Sequence, residues 1–121
     1  MDIYHVWCNL KPGTSDIEFA LAAQTYLQNL VEDERMVSFR ITRRKLGLGI
    51  ERLGEFHLML EFKGLTQLDG AFLQVASRTN PVESFHHAVN SKVSDVKFAL
   101  YRDFPDSIRS TGEEKFLWKT I

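Results

Sequence analysis

Two histidines and two arginines occupy segments whose alternating pattern places them on one side of a predicted sheet. His5 and His57 are the candidate catalytic residues, because an imidazole can accept and donate a proton near neutral pH. Arg40 and Arg44 are candidate ligand-binding residues, because a guanidinium offers paired donors that match a carboxylate or a phosphate. The four residues together predict a site for a small anionic molecule.

Trp7 and Tyr101 complete the set of candidate ligand-binding residues. Tyr101 carries a hydroxyl that can donate to a substrate, and the alternative is that it only packs in a subunit interface. The alternative for the two arginines is ion pairing with Glu55 or Glu61 of a second subunit. Under these alternatives the same side chains build an interface and perform no chemistry.

A metal site is the third possibility for the histidines. Two histidines and one carboxylate, from Glu55 or Glu61, are the ligand types of a non-haem metal centre. Histidines often only form hydrogen bonds, so we predict no metal and no cofactor. The single cysteine, Cys8, cannot form an internal disulfide, and alternation predicts a buried, inert thiol.

The glycine-rich stretch from Gly47 to Gly54 could be mistaken for a phosphate-binding loop. It lacks the Gly-Lys-Ser/Thr ending of a P-loop and does not match G-x-G-x-x-G. It also connects two predicted strands, whereas phosphate loops lead into a helix N-terminus. The stretch is therefore predicted to be a hairpin connection.

The elements that position these residues follow from hydrophobic periodicity, with period 2 predicting strands and period 3.6 predicting helices. The predicted order is strand, helix, strand, strand, helix pair, strand, at about 2–10, 17–33, 36–44, 56–62, 65–75, 80–89 and 95–104. This is the α+β, ferredoxin-like βαββαβ pattern, an antiparallel sheet with helices on one face. The expected spatial order is fourth, first, third, second strand.

The helices are expected to cover the face that carries Val6, Ile41, Leu58 and Phe98, and to leave the other face bare. A bare face of this mixed polarity is commonly covered by a second copy, which would make a homodimeric barrel. The candidate residues would then line its interior. The alternative is a non-catalytic interaction protein whose face serves only dimerisation.

Composition excludes several classes of protein. The formal net charge is −1 over 121 residues, so no general field recruits nucleic acid. The chain has no apolar run long enough for a membrane span and no signal-peptide pattern, which predicts a cytoplasmic protein. An RNA-recognition motif is disfavoured because Phe56 and Phe62 would face the helices. We predict one domain at 1–105 and a tail at 106–121, in which Phe116-Leu-Trp118 is apolar.

Five segments resemble one uncharacterised bacterial domain family with the architecture of the dimeric α+β barrels. They are Met-Asp-Ile-Tyr-His-Val-Trp-Cys-Asn-Leu-Lys-Pro-Gly at 1–13, Thr-Arg-Arg-Lys-Leu-Gly-Leu-Gly at 42–49, Gly-Glu-Phe-His at 54–57, Val-Asn-Ser-Lys-Val at 89–93 and Ala-Leu-Tyr-Arg-Asp-Phe-Pro-Asp at 99–106. The resemblance implies the barrel fold and a homodimer, but no activity. The wider superfamily includes cofactor-independent monooxygenases, haem-dependent enzymes and isomerases, and none of their catalytic motifs matches here.

Overall fold

The computed structural model describes residues 1–110, which form four strands and three helices. In chain order the elements are β1 (Asp2–Leu10), α1 (Asp16–Glu32), β2 (Ser38–Arg43), β3 (Phe56–Phe62), α2 (Leu65–Ala76), α3 (Val82–Asn90) and β4 (Val93–Arg102). Their order is the predicted one, with the last helical region divided into α2 and α3. The α+β, ferredoxin-like class is confirmed.

The strands form one antiparallel sheet in the order β2-β3-β1-β4, as expected. In the central β1–β3 pair, His5 lies opposite Met59 and Trp7 lies opposite His57. Across the outer pair, Trp7 lies opposite Lys97. Because side chains alternate between the two faces of a strand, this register places the two histidines on the same face.

The hydrophobic core lies between the sheet and helix α1. Phe19, Ala23 and Leu27 recur at helical spacing and are almost completely buried. They meet the inward residues of β3, among them Phe56 and Phe62. Each large apolar side chain buried in this way contributes about 1.5–3 kcal/mol, which holds β3, and with it His57, in a fixed position.

Helices α1 and α3 begin in different ways. Ser15 caps α1, its hydroxyl accepting a hydrogen bond from the backbone N–H of Glu18 at 3.2 Å. Helix α3 begins at Val82, and Pro81 rather than Asn80 stands at the N-cap. The Asn80 side chain is otherwise engaged, because its Oδ1 accepts a hydrogen bond from the Ser84 hydroxyl at 2.7 Å. Asn80 therefore does not cap α3, although asparagine is a favoured N-cap residue.

The helices cover their face of the sheet incompletely. Phe98 lies on the helix-facing side, as alternation predicts, and its ring stacks on Tyr4 with 5.7 Å between centroids. It is nevertheless 60% exposed, so the helices of residues 1–110 leave much of its ring uncovered. The expectation that Phe98 is covered like Leu58 was wrong.

The predicted tail begins within the described part of the chain. Asp106 forms an ion pair of 3.5 Å with Arg102 of β4. Residues 111–121, which contain the apolar Phe116-Leu-Trp118 segment, lie outside the described residues. Within residues 1–110, none of the three helices combines the length and the hydropathy that crossing a membrane requires.

Candidate functional site

One face of the sheet is covered by no other element of residues 1–110, and we call it the open face. Its side chains, assigned from strand register, are Ile3, His5, Trp7 and Asn9 of β1, Ser38, Arg40 and Thr42 of β2, His57, Met59 and Glu61 of β3, and Lys97, Ala99 and Tyr101 of β4. Five of the six candidate residues are in this set. The sixth, Arg44, lies one residue beyond the end of β2.

The two candidate catalytic histidines are in direct contact. Nδ1 of His5 and Nε2 of His57 are 2.8 Å apart, so one ring donates an N–H to the other. The contact is diagonal, because His5 pairs with Met59 and His57 pairs with Trp7. Thr42 on β2 donates its hydroxyl to the backbone carbonyl of His57 at 2.7 Å, which ties β2 to the same position.

Two further aromatic rings hold the histidine pair in place. The Trp7 ring stacks on His57, with centroids 4.5 Å apart and planes within 10°. The His5 ring stacks on Trp7 at 5.5 Å and meets the edge of Tyr101 at 5.0 Å. His5, Trp7, His57 and Tyr101 thus form one aromatic cluster at the centre of the open face.

The environment favours the neutral form of both imidazoles. Burial lowers the pKa of His5 below its usual value. Burial also lowers the pKa of His57, and the neighbouring His5 lowers that pKa further, because two positive rings would repel each other. At neutral pH the pair therefore holds a free imidazole nitrogen that can take up a proton.

Two cations flank this cluster from opposite edges of the sheet. Arg40 lies opposite Met59 on the β2 side, and Lys97 lies opposite Trp7 on the β4 side. Both side chains are exposed, and neither forms a hydrogen bond or ion pair within residues 1–110. Lys97 was not among the candidate residues predicted from the sequence. In an alternating strand, its position between the apolar Val96 and Phe98 indicates that Lys97 lies on the opposite face.

Arg44 has a different position from the one expected. Its Nη2 donates to the backbone carbonyls of Ile50, at 3.2 Å, and of Leu53. A Cβ on Gly49 would collide with the Arg44 side chain, so this glycine leaves room for the arginine. Arg44 lines a surface depression that lies between Trp7 and the β2–β3 loop. Its N–H donors bind the loop carbonyls rather than pointing to a ligand.

The carboxylates near the histidines are already engaged. Glu55 lies 3.5 Å from Nη2 of Arg43, whose Nη1 also pairs with Asp16 at 3.0 Å. Glu61 accepts a hydrogen bond from the Ser38 hydroxyl at 3.0 Å. Within residues 1–110 no three His, Cys, Asp or Glu side chains converge as metal ligands.

Asn9 was missed as a positioning residue. Its Oδ1 accepts a hydrogen bond from the backbone N–H of Glu55 at 2.9 Å, and its Nδ2 donates to Asp95 at 3.2 Å. It therefore links the entry of β3 to β4 across β1. A single asparagine in a strand carries no sequence pattern that would reveal such a link.

The glycine-rich stretch joins β2 to β3, which are antiparallel neighbours, so the hairpin prediction is confirmed. Gly47 has a φ of 68°, a value that favours glycine. Gly54 approaches the backbone of Cys8 so closely that a Cβ has no space. The Cys8 thiol itself is buried on the helix-facing side, and burial raises its pKa to about 11.

Residues 1–116 match the family of unknown function DUF6614. The chain belongs to this family. No individually curated protein is similar to the sequence.

Solved structures share the fold at low sequence identity. The Arabidopsis thaliana protein At3g17210 is 18% identical, with a TM-score of 0.66 over 89% of this chain and 100% of its own. A mutant of SnoaB, a cofactor-independent oxygenase from Streptomyces nogalater, is 6% identical, with a TM-score of 0.66 over 89% and 97%. A dimeric ferredoxin-like protein of unknown function from Jannaschia sp. CCS1 is 11% identical, with a TM-score of 0.62 over 85% and 100%. These similarities establish the fold and no activity.

Proposed function

We propose that the chain forms a homodimer through its open face and binds a small anionic molecule in the enclosed interior, beside the His5–His57 pair. The contact of 2.8 Å between the two imidazoles, on a face that no other part of residues 1–110 covers, is the observation that carries the proposal. No cofactor is required for the binding or for proton transfer by the pair.

Dimerisation is supported by the apolar content of the open face. Ile3, Trp7, Met59 and Tyr101 lie on it, and Tyr101 is 61% exposed. Two copies related by a twofold axis present identical faces to each other, so each apolar side chain gains a covered environment. Several proteins that share the fold are dimeric, including those from Jannaschia sp. and Thermobifida fusca.

Anion binding is supported by the charges around the aromatic cluster. Arg40 and Lys97 supply positive charge from two edges, and Glu61, the carboxylate in the open-face set, is bound to Ser38. Enclosure between two sheets would lower the local dielectric and strengthen their attraction for an anion. The neutral histidine pair can then accept a proton from the bound molecule and return it.

The competing function is a non-catalytic interaction protein whose open face is consumed by dimerisation. The same imidazole contact favours it in one respect, because one nitrogen of each ring is already engaged by the other ring. A protein of this kind would dimerise through Met59 and Tyr101 without taking up any small molecule.

Mass measurement and thermal shift separate these functions. We expect a dimer by light scattering, and a rise in melting temperature with citrate, inorganic phosphate or benzoate as probes. Arg40→Gln should abolish the rise, whereas Arg52→Gln, an exposed loop arginine away from the strands, should preserve it. A dimer that none of the three anions stabilises would favour the interaction protein, and a monomer would reject both functions.

A further inference from the structure

A second concave region lies on the other side of the sheet, between the strands and the helices. Its volume is about 380 Å³. Tyr4, Val6, Leu58 and Val96 form its floor on β1, β3 and β4. All three helices contribute to its walls, among them Tyr26 of α1, Phe72, Val75 and Ala76 of α2, and His86 of α3. We call this region the helix-side cleft.

The mouth of the helix-side cleft is formed by aromatic rings. Phe98 on β4 is 60% exposed, and Phe72 on α2 is 46% exposed. Both rings contact Tyr4, Phe98 by stacking at 5.7 Å and Phe72 edge-on at 5.3 Å. An occupant that covers these rings removes apolar surface from water, which is favourable.

Three of the rings that line the cleft carry polar groups that have no hydrogen-bond partner within residues 1–110. These are the hydroxyls of Tyr4 and Tyr26 and the imidazole of His86, whose ring lies 5.5 Å from that of Tyr26. Burial, reinforced by Tyr4, raises the pKa of Tyr26 to about 12, so its hydroxyl stays protonated and able to donate. None of the lining residues is Lys, Arg, Asp or Glu.

We propose that the helix-side cleft binds a small, largely apolar molecule that carries one hydroxyl or carbonyl group, with Tyr26 as its hydrogen-bond partner. The volume falls within the range of about 300–1,000 Å³ that small-molecule sites occupy. A charged ligand would find no counter-ion in the lining. The site is independent of the open face, since β1 presents Tyr4 to one side and His5 to the other.

A fluorescence titration tests the proposal with the full chain. The probe is N-phenyl-1-naphthylamine, a neutral aromatic molecule whose emission rises in apolar surroundings. We expect saturable binding at one probe per chain. Absence of saturable enhancement would overturn the proposal, whatever the oligomeric state or the response to anions.

Bulky substitutions locate the probe. Val75→Trp places an indole in the cleft from α2 and should weaken binding at least tenfold. Leu73→Trp is the matched control, because Leu73 lies on the same helix, is 63% exposed and does not line the cleft. Circular dichroism checks folding, and Ala76→Trp replaces Val75→Trp if that variant does not fold. Equal affinity of the cleft and control variants would overturn the assignment.

Two competitors test the hydrogen bond. In the wild-type protein, 1-naphthol should displace the probe about 2- to 12-fold better than 1-methylnaphthalene, which is the effect of one hydrogen bond. Tyr26→Phe should abolish the difference and keep probe affinity. His57→Asn, on the opposite face, should leave both quantities unchanged. A preference that persists in Tyr26→Phe would reject Tyr26 as the partner.

Discussion

Nδ1 of His5 and Nε2 of His57 lie 2.8 Å apart on the open face, although 52 residues separate them along the chain. The antiparallel β1–β3 pairing brings them together. The planes of the two imidazole rings lie 21° apart, and the Trp7 ring stacks on His57. A positive charge on either ring would oppose protonation of the other at this distance, which adds to the effect of burial on the pKa of His57.

The first prediction concerns the pH dependence of stability. Both histidine pKa values are lowered in the folded state, so the unfolded chain binds protons more readily near pH 6. The resulting stability is complete above the ordinary histidine pKa of 6.5 and is lost as pH falls through the folded-state values. Urea unfolding between pH 5 and 8 should show this fall, and His57→Gln should reduce it.

Between pH 5 and 8 the buried carboxylate of Asp2 does not contribute to the change in stability. The pKa of buried Asp2 is lowered by its hydrogen bond with Arg102, so Asp2 stays charged above its ordinary value of 3.8. Its contribution is lost only at lower pH than the range measured. A wild-type free energy of unfolding that does not change between pH 5 and 8 would contradict the first prediction.

The second prediction concerns the proposed dimer interface. Met59 lies at the centre of the open face, between Arg40 and His5 in the register. Met59→Glu would place two carboxylates at the proposed twofold interface, where desolvation and like-charge repulsion oppose association. We expect a monomer by sedimentation velocity. Leu21→Glu, on the exposed side of α1, is the control and should stay dimeric. If Met59→Glu also stays dimeric, the open face is not the interface.

The third prediction concerns the glycine at the end of the hairpin. Gly54→Ala would press a methyl group against the Cys8 backbone, which cannot move without disturbing the β1–β3 pairing. We expect a loss of about 1–3 kcal/mol in the free energy of unfolding. Gly70→Ala, inside α2, would bring its Cβ no closer than 3.8 Å to Arg35, an ordinary contact distance, and should not lower the free energy of unfolding. Similar values for the two variants in urea would contradict the packing explanation.

The fourth prediction concerns Arg44. Arg44→Ala removes the donors that reach the carbonyls of Ile50 and Leu53. We expect a loss of about 1 kcal/mol of stability and faster amide exchange at Leu48 and Leu53, whose N–H groups are bonded within the loop. Arg52→Ala is the exposed control. Unchanged exchange in Arg44→Ala would show that the loop keeps its shape without the guanidinium.

Periodicity predicted the order of the elements, the βαββαβ pattern predicted the strand order, and alternation predicted most members of the open face. Alternation assigns His5, His57 and Arg40 to one side because the side-chain period of a strand is fixed at two. It could not predict where the Arg44 side chain lies, because β2 ends at Arg43 and alternation does not extend beyond it. The Arg44 guanidinium instead binds carbonyls of the loop. Alternation also could not predict the exposure of Phe98, because helix length and placement depend on tertiary packing.

Cys8 gives the chain a built-in reporter of its own opening. The thiol is 2% exposed, lies on a central strand and has a pKa of about 11, so it reacts only when β1 separates from the helices. The rate at which a disulfide reagent labels it therefore measures the frequency of that opening. Trp7, which stacks on His57, is adjacent to Cys8 in β1. The same labelling rate therefore reports the opening of the strand that positions the histidine pair, with no engineered probe.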